Sequence, residues 1–147
     1  MPRRCRGGNA LSEEREVAME KIGQKTRDIN FYSEKNSGMI CLHSRPARDY
    51  AKYLEAQPWV ERYEAGAPLS QELYSHVSPV GIRGAYFQVP WASDFLIYFA
   101  DGRKGIRELV AVDGLRRKNI VEKLEFSRRY WAITDIDDWK VVLLPEP

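Results

Sequence analysis

Apolar positions along this chain change their period several times, and each change marks an element. Leu11 to Lys25 carries Val17, Ala18, Met19 and Ile22 at helical spacing. Ser12 can cap that helix, and Glu13, Glu14 and Glu16 suit its positive N-terminal end. The apolar stripe is thin, which predicts a surface or partner-facing helix. Ile29-Asn30-Phe31-Tyr32 and Met39-Ile40-Cys41-Leu42 are short apolar runs separated by Ser33-Glu34-Lys35-Asn36-Ser37-Gly38. The separator is turn chemistry, with Asn36 and Gly38 able to take positive φ, so the pair reads as a hairpin. Ser44-Arg45-Pro46 opens a second helix. Tyr50, Tyr53 and Leu54 follow at helical spacing, and Pro58 lies beyond its end.

Val60 to Tyr63 reads as a short extended piece. Glu64 to Pro90 is broken by Pro68, Pro79, Gly81, Gly84 and Pro90, which predicts a long loop with short strands around Tyr74–Val77 and Ala85–Val89. Ser93–Phe99 and Ile106–Val112 are the strongest strand signals, joined through the turn dipeptide Asp101-Gly102. In Arg117 to Trp131, residues Ile120, Val121, Leu124, Ser127 and Trp131 share one helical face. Trp139–Leu144 is a last strand, stopped by Pro145. Interleaved helices and strands of this kind predict an α/β (α+β) fold, a mixed sheet flanked by helices. Residues 1–27 form a basic arm and N-terminal helix, and 28–147 form the domain.

Composition narrows the picture only slightly. A chain of 147 residues, 44% hydrophobic and 30% charged, is ordinary for one globular domain. No stretch is long and apolar enough to span a bilayer, and the basic start is not followed by an apolar segment of signal-peptide type. Two cysteines, Cys5 and Cys41, show no framework of paired spacings, so free thiols and a cytoplasmic location are expected. Net charge is only +2, so any nucleic-acid surface depends on where the basic residues cluster. His43 and His76 lack metal-ligand spacing and read as structural.

One cluster stands out. Arg116, Arg117, Lys123, Arg128 and Arg129 crowd the other faces of the helix that follows the strong strand pair, and of these Arg116, Arg117, Arg128 and Arg129, with Lys118, stand in a position suited to phosphate contact. Within that pair, Asp94 opens an apolar strand, and a carboxylate beside Phe95 and Leu96 must be solvated, paired or metal-bound. Because the strands are joined by a tight turn, Asp94 can approach an acid on the second strand, Glu108 or Asp113. Converging carboxylates form a hard-oxygen site for Mg²⁺ or Mn²⁺. Metal-dependent phosphodiester cleavage uses that arrangement.

The order of these segments resembles one family, the TnsA endonucleases of heteromeric bacterial transposases. Tyr32-Ser33 with Gly38 downstream resembles the family's "YSHKTG" hairpin, and Ile82-Arg83-Gly84 its "IRG" segment. Ser93-Asp94-Phe95-Leu96 is similar to "TDFLV". Glu122 through Trp131 resembles "EKLELERRYW" in eight of ten positions. The matched segments run in family order across residues 30–144, while the family's C-terminal helical domain has no counterpart here.

The resemblance implies a restriction-endonuclease-like PD-(D/E)xK fold, Mg²⁺ (or Mn²⁺) as cofactor, and 5′-end cleavage of transposon DNA. It also implies a DDE transposase and an AAA+ ATPase as partners. The family's catalytic residues are a helix Glu, the Asp of "TDF" and a Lys ending a Gln/Glu-Val-Lys strand. Asp94 supplies the Asp. Ala47 stands at the Glu position. Matching apolar strands puts Asp113 at the Lys position. Ungapped spacing back from Glu122 puts Glu108 at the Gln/Glu position and Val110 at the Lys position. Neither alignment finds a strand lysine, so Lys118, just after the strand, is the candidate replacement. The sequence therefore supports two readings. One is an endonuclease using Asp94, Glu108 or Asp113, and Lys118; the other is a degenerate nuclease domain that holds DNA or docks the transposase.

Overall fold

A computed structural model describes residues 28–145. The expected arm and first helix, 1–27, lie outside the described residues.

The described residues open with a hairpin of β1 (Ile29–Ser33) and β2 (Gly38–Leu42), paired antiparallel. Its turn differs from the expected one. Ser37, with φ of 56°, takes the left-handed conformation. Asn36 instead spends its side chain on tertiary contact, its Oδ1 accepting the Tyr63 N–H at 3.0 Å. Helix α1 (Arg45–Glu55) starts as the sequence indicates, with the Ser44 hydroxyl accepting the Ala47 N–H at 3.1 Å and Pro46 in the first turn.

Strand β3 (Val60–Pro68) is much longer than expected. It pairs antiparallel with β4 (Ala92–Phe99), and β4 pairs antiparallel with β5 (Lys104–Ala111). Helix α2 (Lys118–Ala132) carries the chain back so that β6 (Asp138–Leu144) lies parallel to β5. The four-stranded sheet has the order β3-β4-β5-β6. Its sequence of elements is helix, three antiparallel strands, helix, parallel strand.

The strands expected around Tyr74–Val77 and Ala85–Val89 are instead short 3-10 turns, Gln71–His76 and Gly84–Phe87. Neither joins the sheet, whose order is β3-β4-β5-β6. Their apolar residues serve as packing plugs: Tyr74, Val77, Ile82 and Tyr86 are buried against Phe126, Tyr130 and Trp131 of α2. On the other face of the sheet, Leu42, Ala51, Leu54 and Tyr63 pack with Phe95, Ile97 and Phe99. The sheet is thus covered on both faces, one core per face.

Many of the segments that carry the resemblance also hold this architecture together. Ser33 Oγ and Tyr63 Oη both donate to the Glu55 carboxylate, anchoring the hairpin turn to the end of α1. The Arg83 backbone N–H and guanidinium both donate to Glu122, at 2.7 Å each for the closest contacts. That bond fastens the loop before β4 to α2. It covers the Glu122 carboxylate even though the pair lies at the periphery of the molecule, and the Arg83 hydrogen bond holds the Glu122 pKa below its ordinary value. Cys41 is disulfide-bonded, not a free thiol. Bridging depends on where the folded chain brings two sulfurs, which spacing in sequence does not state. Asp28, Cys41 and His43 bring one possible ligand atom each within 4.8 Å of one another, but a bridged sulfur supplies no thiolate there. Among the described residues no helix is long and apolar enough to cross a membrane.

Candidate active site

The β4–β5 ladder runs from Tyr98↔Lys104 to Phe95↔Arg107 and then stops. Continuing that register would set Asp94 opposite Glu108. At that point the strands are joined by side chains instead of by backbone pairs. Asp94 Oδ2 accepts the Leu109 N–H at 2.7 Å, and the Asp94 N–H donates to Glu108 Oε1 at 3.2 Å. Ser93 Oγ donates to Glu108 Oε2 at 2.8 Å. Two carboxylates therefore meet at one end of the sheet, where β5 leaves it toward α2.

Helix α2 closes this end from above. Trp131 Nε1 donates to Ser93 Oγ at 2.8 Å, and Ser127 Oγ lies 3.4 Å from the same hydroxyl. Trp139 Nε1 donates to Ser127 Oγ at 2.9 Å. Two indoles and two hydroxyls thus form a nearly dry network whose outlet is the Glu108 carboxylate. Lys123, one turn before Ser127, lies over the Trp91 ring with its Nζ 5.2 Å from the centroid.

The two acids have different surroundings. Glu108 is 5% exposed. Burial raises its pKa to about 7, and the nearby Asp94 charge adds to the rise; hydrogen bonds from Ser127 and Ser93 and the charge of Lys123 oppose it. Asp94 is exposed, with its carboxylate held by the Leu109 N–H. Desolvation there raises its pKa, against the Lys123 charge and the Leu109 N–H. Two carboxylates that both resist ionisation form a site of unspent negative potential, and a cation or a shared proton relieves it.

Continued by one pair, the register sets Glu108 across from Asp94, with Val110, 8% exposed, two residues further along β5. Asp113 belongs to the short 3-10 turn Val112–Arg116 after β5, where it is exposed. Asp113 and Lys118 are not among the groups that meet at the pair. Lys118 is exposed at the start of α2, and the acid that feels its charge is Glu122. Ala47 packs among apolar neighbours at the core beneath α1. A cation whose field reaches both acids is Lys123, which the sequence places on the basic helix but does not connect to the acids. The available signal was spacing: Lys123, Ser127 and Trp131 are four residues apart, one stripe along α2.

The basic residues divide into two groups. Arg129 donates to Glu125 and to the Ser78 and Val80 carbonyls, so it holds the loop before β4. Arg128 also binds Glu125, at the surface. Arg116, Arg117 and Lys118 are exposed and make no ion pair among the described residues. They follow the β5 end at which the two acids meet.

The donor set at the pair is all oxygen, with two carboxylates and neighbouring hydroxyls. Mg²⁺ and Mn²⁺ accept such a set, since Mg²⁺ is commonly held by one or two carboxylates with waters completing its shell. No family model matches this chain, and no curated protein matches it.

Proposed function

We propose that this chain is a TnsA-like, restriction-endonuclease-fold subunit of a heteromeric bacterial DNA transposase, acting at transposon ends with a reduced active site. The observation that carries this reading is the meeting of Asp94 and Glu108 where β4 and β5 part. The helix–three strands–helix–strand order adds support, as does the way the motif residues of α2 converge on that point. Asp94 and Glu108 are the residues that would hold a divalent cation. The chemistry such an ion supplies when bound is acidification of a water and neutralisation of charge on the leaving oxygen. The protein's own part is positioning. Leu109 N–H fixes one Asp94 oxygen, while Ser93, held by Trp131, fixes Glu108. Arg116, Arg117 and Lys118 would receive the phosphate backbone beside the acids. The partners in this reading are a DDE transposase and an AAA+ ATPase, in the bacterial cytoplasm.

The second reading is a scaffold that binds DNA or the transposase without cutting. Ala47 and Val110 favour it, because a methyl and an isopropyl group stand where the family places a carboxylate and an ammonium. Removing one electrostatic group from such a site typically costs about two to three orders of magnitude in rate. The test is nicking of supercoiled plasmid and transposon-end duplexes with Mg²⁺ and Mn²⁺, beside Asp94→Ala and Ala47→Glu. Cleavage that disappears with Asp94→Ala supports an endonuclease. No cleavage by the parent, even with a partner transposase present, leaves the scaffold reading. Failure to bind either DNA or a transposase would overturn both.

A further inference from the structure

We propose that Lys123, presented by α2, is the cation of this site, acting from the helix on the phosphate that the two carboxylates face. The inference rests on the reading of Asp94 and Glu108 as a metal-holding pair. Its geometry is independent of the alignments, neither of which places a lysine on β5. Ser127 and Trp131 both engage Ser93, so the face of α2 they share is fixed against the start of β4. Lys123 lies one turn before Ser127 on that face. Its aliphatic stem is half-buried, and the Trp91 ring limits where its ammonium can go. Trp91 is two residues before Ser93, which ties the ring, the lysine and the acids into one short span of structure.

The surrounding charges favour this lysine over its neighbours. Glu122, the preceding residue, is bound to Arg83. Glu125 is bound to Arg128 and Arg129. Lys123 has neither acid as an ion-pair partner among the described residues, and it sits over Trp91 on the face of α2 that Ser127 and Trp131 fix against the start of β4. An ammonium held near, but not hydrogen-bonded to, a pair of carboxylates is free to meet a phosphate oxygen. The same role is performed by a strand lysine in the family this chain resembles; here it would come from a different element.

The test compares the parent with Lys123→Met and Lys123→Arg by Mn²⁺-dependent plasmid nicking, Mn²⁺ calorimetry and thermal melting. Nicking by the Met variant is expected to fall about 100-fold or more, with partial retention by Arg. Mn²⁺ affinity should rise several-fold in the Met variant, because a positive charge beside the carboxylates opposes the ion. Nicking by Lys123→Met at the parental rate overturns the inference even if it melts differently, since a purely structural counter-charge would do no more. If the parent binds Mn²⁺ but does not nick, duplex binding in the presence of Mn²⁺ decides: weaker binding by Met with retention by Arg supports the role, and unchanged binding overturns it. If the parent neither binds Mn²⁺ nor nicks, the reading of the carboxylate pair fails first and the role of Lys123 with it.

Discussion

Replacing Glu108 by Gln should make the protein more stable at high pH while weakening any metal site. Glu108 has its pKa raised from 4.5 to about 7 by burial and by Asp94. A carboxyl group whose native pKa is raised binds its proton more tightly in the folded chain. Its unfavourable contribution is absent below about pH 4.5, grows as pH rises from there to 7, and is fully present above 7. At about 1.4 kcal/mol for each tenfold change in proton affinity, the total is about 3 kcal/mol. Because Glu108 is nearly fully covered, little of this is lost to solvent screening. Asp94 shifts in the same direction. Glu55 and Glu125, whose pKa values are lowered chiefly by hydrogen bonds from Ser33 and Arg128, run the other way; their stabilisation is lost only as pH falls below the carboxylate range. The two windows are therefore separate. Gln retains the shape of Glu, and its amide can still accept from Asp94 N–H and donate to Ser93 Oγ. Urea unfolding across pH 4.5 to 8.5 should show parent stability falling relative to Glu108→Gln by about 3 kcal/mol. Parallel curves for the two proteins would refute the buried ionisable pair. Adding Mn²⁺ at ten times its dissociation constant should return about 1.4 kcal/mol to the parent at pH 8 and little to the variant.

Further expectations follow from single contacts. Ser127→Ala leaves the Trp139 indole N–H without its acceptor and should cost about 1–3 kcal/mol by urea unfolding; a loss within error would mean that hydroxyl is not a structural hub. Gly105→Ala places a methyl 2.7 Å from Phe99 Cε2, in the core beneath α1, and should destabilise by about 1–3 kcal/mol, measured in the same way. Arg116→Ala with Arg117→Ala and Lys118→Ala should weaken DNA binding and flatten its log–log salt dependence by nearly three units, read by fluorescence anisotropy at several salt concentrations. Arg129→Ala, by contrast, should lower the melting temperature through loss of the Ser78 and Val80 bonds while leaving the salt slope nearly intact.

Periodicity alone located the hairpin, both helices of the domain and the paired strands around Asp101-Gly102, because each element carries its own local signal in apolar spacing, capping and turn residues. It also singled out Asp94, since an acid opening an apolar strand is costly unless something engages it. Sequence could not give the length of β3. Val60–Pro68 holds charged residues and a glycine, and becomes a strand because β4 offers it a ladder. The apolar residues of 71–87 have the look of strands in sequence, but they pack against α2 instead of entering the sheet. Tertiary structure alone decided between Glu108 and Asp113, because register, not spacing from a motif, sets which acid lies across from Asp94. It likewise set Lys118 near Glu122 instead of at the two acids, and divided the expected basic set by pairing Arg128 and Arg129 with Glu125 while Arg116, Arg117 and Lys118 stay exposed. A side chain's charge is written in the sequence, but its partner is chosen by long-range packing, and only a group left without one has its charge to spend on a ligand.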